Sequence, residues 1–129
     1  MLHIFPTDNP SLRASLFAAQ YLAPGLPGQF GPDDVALVAL DGGELVGACL
    51  FRIERETLRL LALPLGDEDD RGLADGLLRV AFDYALQRGA RVARPEGEPL
   101  RALCESLGFL RADRGEIDLE TALAHTGCG

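Results

Sequence analysis

Between positions 58 and 78 the chain passes from an apolar strand through a short loop into a helix opened by small residues. The strand is Leu58-Arg-Leu-Leu-Ala-Leu-Pro-Leu65 and the helix start is Asp70-Arg-Gly-Leu-Ala-Asp-Gly-Leu-Leu78. With Gly72, Ala74 and Gly76 in its opening turns, this helix leaves backbone N–H groups uncovered at the positive end of its dipole. Such an end can hold a phosphorylated cofactor without a dedicated side chain. The same small residues also suit close packing of a helix against a strand, so the pattern constrains architecture before it assigns a ligand.

A chain of 129 residues that is 47% hydrophobic and 25% charged suffices for one globular core and is too short for two. No run of about 18 apolar residues is present, so no membrane-spanning helix is expected. The start, Met1-Leu-His-Ile-Phe-Pro, has neither a basic region nor an apolar signal core, and a cytoplasmic location is expected. Cys49, Cys104 and Cys128 are odd in number and lack C-x-x-C spacing, which disfavours a disulfide framework or a zinc site. All 12 basic residues are arginine, the formal net charge is −8, and the arginines are scattered singly. Nucleic acid is therefore excluded as an expected partner, whereas a cationic small molecule or basic peptide would be steered in favourably.

Strand and helix signals alternate along the chain. Leu2 to Phe5 reads as a strand, and Asp8 or Asn9 can cap a helix that starts at Pro10 and continues through Leu12, Leu16, Phe17 and Tyr21. Positions 23 to 33 carry three prolines and three glycines and read as a surface loop. Val35 to Leu40 is apolar throughout, as a strand buried on both faces would be. Asp41-Gly42-Gly43 turns the chain into a strand from Glu44 to Ile53, and Glu54-Arg55-Glu56 turns it again into Thr57 to Leu65. From Arg71 to Arg88, Asp75, Arg79, Asp83 and Gln87 fall four apart opposite Leu77, Leu78, Ala81, Tyr84 and Ala85, the pattern of an amphipathic helix. A strand at Arg91 to Arg94 follows, then a helix with Leu100, Leu103, Cys104 and Leu107 on one face, ending at Gly108. Phe109 to Arg111 and Glu116 to Leu119 suggest a closing hairpin.

In this order the elements resemble the GNAT superfamily of N-acetyltransferases over nearly the whole chain. Three local matches carry the resemblance. Asp41-Gly-Gly-Glu-Leu-Val-Gly47 is similar to the turn and glycine that open the family's third strand, and Arg71-Gly-Leu-Ala-Asp-Gly-Leu-Leu78 resembles its pyrophosphate loop and helix start. Leu103-Cys-Glu-Ser-Leu-Gly-Phe109 resembles the Gly-Phe helix end that precedes its last hairpin. The implied fold is α/β: a GNAT-like domain over residues 1–124, with a mixed, mostly antiparallel sheet of six to seven strands and flanking helices, followed by a flexible tail at 125–129.

The resemblance implies acyl transfer from an acyl-CoA such as acetyl-CoA, as co-substrate, to an amine acceptor, and it is compatible with a homodimer. It assigns Leu61 and Leu63 to the strand edge that meets the pantetheine arm, and the N–H groups of Arg71, Gly72, Leu73 and Ala74 to the pyrophosphate cradle. Three departures from the family pattern stand out. Asp69 occupies the place of the motif's Gln or Arg, the loop adds Asp67, Glu68 and Asp70, and Cys104 stands where the family has the tyrosine that protonates the leaving thiolate. Asp69 or Asp70 can instead cap the helix, and Cys104 on its apolar face can be a small core hydrophobe. Glu54, Glu56, Glu116 and Asp118 are candidates for a general base, with exposed turn or strand charges as the competing reading. His3 and His125, at opposite ends of the chain, do not read as a catalytic or metal pair. The departures motivate an alternative: a non-catalytic GNAT-like domain that binds a ligand or a protein partner.

Overall fold

The computed structural model describes residues 2–7, 34–67, 69–111 and 114–124. Six strands form one mixed sheet: β1 (Leu2–Thr7), β2 (Asp34–Asp41), β3 (Glu44–Glu54), β4 (Thr57–Ala62), β5 (Val92–Pro95) and β6 (Ile117–Asp118). Their order in the sheet is their order in the chain. Only β4 and β5 run parallel; every other neighbouring pair is antiparallel. A parallel pair needs a crossover, and helix α1 (Arg71–Gln87) provides it. Helices α2 (Glu98–Ser106) and α3 (Leu119–Ala124) follow β5 and β6.

The β2–β3 hairpin turns at Gly42 and Gly43, with φ of 62° and 89°, where two successive positive values suit the twist of the strands. Alternation along the strands then divides the apolar residues between the two faces. Leu37, Ala39, Cys49, Phe51, Leu58 and Leu60 pack in one cluster with Leu73, Leu77, Leu78, Ala81, Phe82 and Ala85 of α1. Ala36, Val38, Ala48, Leu50 and Ala62 form a second cluster, so β2 is buried on both faces as its unbroken apolar run predicts. Phe82, fully buried, meets Phe109 edge-to-face at 5.1 Å and 89°. On the polar side of α1, Arg79 Nε donates to Asp75 at 2.6 Å and Gln87 to Asp83 at 2.8 Å, the expected four-residue pairing.

At the C-terminal end the expected closing hairpin is not formed. Phe109 and Leu110 fold inward instead of extending, with both amide N–H groups donating to the Cys104 carbonyl. The strand at Ile117–Asp118 pairs with β5, and the chain at once enters α3. Asp118 explains the change, since its Oδ1 accepts from the N–H groups of Glu120 and Thr121 at 3.1 and 3.3 Å and caps the new helix. The expected helix from position 8 or 9 to Tyr21, the loop at 23–33 and the tail at 125–129 lie outside the described residues.

Candidate active site

The parallel ladder between β4 and β5 is short. It pairs Thr57 with Val92 and ends at Leu60 opposite Pro95, with a last bond from Glu96 N–H to the Leu60 carbonyl at 2.9 Å. On its other edge β4 stays with β3 for longer. Leu61 is an extra residue there, because Phe51 opposes Leu60 while Leu50 opposes Ala62. Beyond this bulge Ala48 N–H donates to the Pro64 carbonyl and Gly66 N–H to the Val46 carbonyl, each at 2.9 Å. A bulge bends the strand that carries it. β4 therefore follows β3 while β5 turns away at Gly97, whose φ of 86° begins α2. Because Pro64 is turned toward β3, alternation puts the N–H of Leu63 on the parted edge, where it has no partner among the described residues. Leu61 and Leu63, both half-buried, thus lie beyond the end of the β4–β5 pairing, on the edge of the strand that β5 no longer covers.

Gly47 fixes how the chain leaves this stretch. A Cβ at Gly47 would come within 3.1 Å of Leu65 Cδ2 and 3.2 Å of Leu73 Cδ2, so the bare backbone lets the strand end and α1 close over β3. The loop then reaches the helix through its own hydrogen bonds. Asp67 Oδ1 accepts from Asp69 N–H at 3.0 Å, and Arg71 N–H donates to the Asp69 carbonyl at 2.9 Å. The side chain of Asp70 accepts from Leu73 N–H at 2.9 Å, and the Asp70 carbonyl accepts from Ala74 N–H at 3.1 Å. Of the four N–H groups of Arg71, Gly72, Leu73 and Ala74, only that of Gly72 is left without a partner among the described residues. Asp70 is the helix cap, and its carboxylate sits where an anion would otherwise find these donors. The Arg71 side chain points elsewhere, donating to the Ser106 carbonyl at the end of α2 at 2.8 Å.

Cys104 has no exposed surface and packs in the core with Leu100, Leu110 and Phe82. Burial pushes its thiol from the ordinary 9.0 up to about 12, and Cys49, equally buried, is pushed up by the same cause. Between those pH values the unfolded chain releases a proton that the folded chain keeps. The preference is intact below pH 9.0 and is lost as pH rises toward about 12, at about 1.4 kcal/mol per pH unit. Urea unfolding at pH 8 and pH 10 checks this: Cys104→Ala is expected to flatten the alkaline loss, and an unchanged slope would mean that the thiol is not sequestered. Cys104→Ser is expected to cost about 1 kcal/mol or more, through a hydroxyl placed in an apolar setting.

On the sheet face away from α1, a cleft of about 720 Å³ runs from the β3–β4 turn to the end of β5. Glu54, Arg55, Thr57, Arg59, Arg94, Glu96 and Arg101 contribute to its lining. The guanidinium of Arg59 bridges Glu96 at 2.6 Å and Glu54 at 3.0 Å, and these bonds, that to Glu96 first, hold its pKa above the usual arginine value. Arg52, bonded to the buried Asp34 at 2.5 Å, extends the row of charges onto β3. Of the carboxylates considered from sequence, Glu54 lies in this cleft, Glu56 is exposed in the turn, Asp118 caps α3, and Glu116 borders a smaller hollow with Arg111 and Arg114. Glu96 was not among them, although it stands beside the last β4–β5 bond. The available signal was its position directly after Pro95, a residue that cannot continue the ladder as a donor.

No protein-family model matches the chain, and no curated protein matches it in sequence. Solved structures do. The ribosomal-protein-S18-alanine N-acetyltransferase of Escherichia coli superposes with a TM-score of 0.65 at 20% identity, over 87% of this chain and 79% of that one. An aminoglycoside N-acetyltransferase in complex with CoA gives 0.69 at 16% identity, over 88% and 91%. The IAA acetyltransferase of Bacillus cereus gives 0.64 at 19%, over 85% and 77%. The chain has the GNAT acetyltransferase fold, in a divergent form. Among the described residues, no helix is long and apolar enough to cross a membrane.

Proposed function

We propose that the chain is an N-acyltransferase that moves an acetyl or other acyl group from acyl-CoA to a primary amine of a small molecule or peptide. The observation that carries this reading is the parted edge of β4, whose Leu63 N–H has no partner among the described residues, in a fold whose solved neighbours include an enzyme in complex with CoA. In this reading the pantetheine arm lies along Leu61 to Leu63 and the pyrophosphate reaches the first turn of α1, from Arg71 to Ala74. The acceptor approaches from the charged cleft, where Glu96 takes the proton of its ammonium group. The neutral amine attacks the thioester carbonyl, and the Leu63 N–H donates to the oxyanion that develops. The nitrogen of the tetrahedral adduct then gives its second proton to solvent, and the C–S bond breaks, giving the neutral amide and a thiolate that takes a proton from solvent. Cys104 stays outside the reaction, so the folded Cys104→Ser variant should turn over at nearly the normal rate; a tenfold loss would make it the proton donor.

Among the described residues, Cys49 and Cys104 are free and buried, which is consistent with a reducing, cytoplasmic address. A second reading is a non-catalytic domain with this fold that binds a ligand or protein partner. It is favoured by one observation, the Asp70 carboxylate on the Leu73 N–H of α1.

Thermal stability with acetyl-CoA tests the first reading. At a hundred times its dissociation constant, a ligand of the folded state adds about 2.7 kcal/mol. Asp70→Asn keeps a capping oxygen and removes a charge that, at about 4 Å from a phosphate, costs about 1 kcal/mol in water. The variant is therefore expected to bind acetyl-CoA about fivefold more tightly at low salt, with the gain shrinking as salt is added. Absence of stabilisation in both proteins at millimolar acetyl-CoA would overturn the transferase reading and leave the second.

A further inference from the structure

We propose that the cleft on the outer face of β4 and β5 selects an acceptor amine that also carries an anionic group, a carboxylate or a phosphate. This rests on the transferase reading and adds the substrate class to it. In a chain of net charge −8, this cleft gathers four arginines, Arg55, Arg59, Arg94 and Arg101, against two glutamates. Arg59 is taken up by Glu54 and Glu96, and Arg101 donates to the Arg114 carbonyl at 2.6 Å with Glu105 at 3.8 Å. Arg55 and Arg94 make neither an ion pair nor a side-chain hydrogen bond among the described residues.

Two costs are built into this arrangement. Arg59 and Arg94 are register partners on adjacent strands, and like charges set side by side on a sheet repel. Arg55 has a φ of 57°, a conformation in which a two-residue hairpin loop ordinarily places Gly, Asn or Asp. An anion bound between Arg55 and Arg94 offsets both, since it neutralises the facing charges and uses the side chain that the strained turn carries. The span is also right. From Thr57 to Leu60 β4 rises about 10 Å, so an amine at Glu96, beside the last β4–β5 bond, leaves its anionic group within reach of the arginines.

Three amines of one backbone test the proposal: ethylamine, β-alanine and phosphoethanolamine, assayed as acceptors with acetyl-CoA and titrated calorimetrically in the presence of CoA. At least one anionic amine is expected to exceed ethylamine tenfold or more in kcat/KM, and the one that does identifies the anion. Arg94→Gln is expected to erase the preference. Arg55→Gly should lower it as well while raising thermal stability, a combination that a purely structural arginine would not produce. Equal use of all three amines, or a preference that survives both substitutions, overturns the proposal and leaves the transferase reading standing. If no amine is acetylated and acetyl-CoA gives no heat of binding either, the transferase reading fails. Calorimetry then decides the cleft by itself: binding of an anionic amine that Arg94→Gln abolishes supports it, and no binding overturns it.

Discussion

Changing Glu96 to glutamine is expected to lower kcat/KM for amine acetylation by about 10²- to 10⁴-fold, the range for removal of a general base. At neutral pH a primary amine is almost wholly protonated and cannot attack a thioester, so a group must accept its proton where the reaction takes place. Glu96 is the carboxylate beside the last bond between β4 and β5, and Arg59 holds its Oε1 at 2.6 Å. The ion pair is solvent-exposed, and such pairs contribute about 0–1 kcal/mol to stability, so the variant should fold normally. Steady-state kinetics from pH 6 to 10 is the check. The deficit should narrow at high pH as free amine becomes abundant, whereas a loss below tenfold at neutral pH would remove Glu96 from the mechanism. Glu54→Gln serves as comparison, since it shares Arg59 but stands at the other end of the cleft.

Phe82→Ala is expected to reduce folding stability by about 3–5 kcal/mol, a large share of the roughly 5–15 kcal/mol that holds a domain of ordinary stability together. The ring is fully buried where α1 meets the turn after α2, and Phe109 packs edge-on against it. Its removal leaves a hole bordered by two elements. Phe109 also carries the Arg79 guanidinium, 5.2 Å from its ring centre, so the loss reaches the polar side of the helix. Urea denaturation measures it directly. A cost below about 1.5 kcal/mol would mean that the surrounding side chains collapse into the space.

The elements that were legible in the sequence are those whose own periodicity suffices. Leu77, Leu78, Ala81, Tyr84 and Ala85 recur at helical spacing, and α1 begins at Arg71 as the sequence predicts. β2, β3 and the Gly42-Gly43 turn follow from an unbroken apolar run and a turn pair with few alternatives. Phe109 is the instructive failure. Its apolar neighbourhood reads as a strand, but tertiary contact with Phe82 and the pull of the Cys104 carbonyl on its N–H fold it inward. The sequence also carries a signal for α3: Asp118 is a good cap, and Leu119 and Ala122 fall three apart.

The site divides in the same way. The small residues at Gly72 and Ala74 mark a helix start that can approach a ligand, yet the pattern cannot show that Asp70 has already taken up the Leu73 N–H. Nor can local pattern join Arg55 and Arg59 to Arg94 and Glu96. Those segments become neighbours only through the parallel register that sets Arg59 beside Arg94, after a helical crossover.

The Asp70 cap changes what a diphosphate would encounter at α1. At a helix start with open donors, each N–H adds a new bond to the incoming group. Here, binding would be an exchange of one anion for another: a diphosphate would gain the Leu73 N–H only as the carboxylate gave it up, and the number of hydrogen bonds at that donor would not rise. In the transferase reading, the discriminating free energy would then shift from the phosphates to an arm placed along Leu61 and Leu63. A carrier would be recognised chiefly by the length and fit of its thiol-bearing chain, and loss of the distal nucleotide would matter less to this protein than to one whose helix start is uncapped.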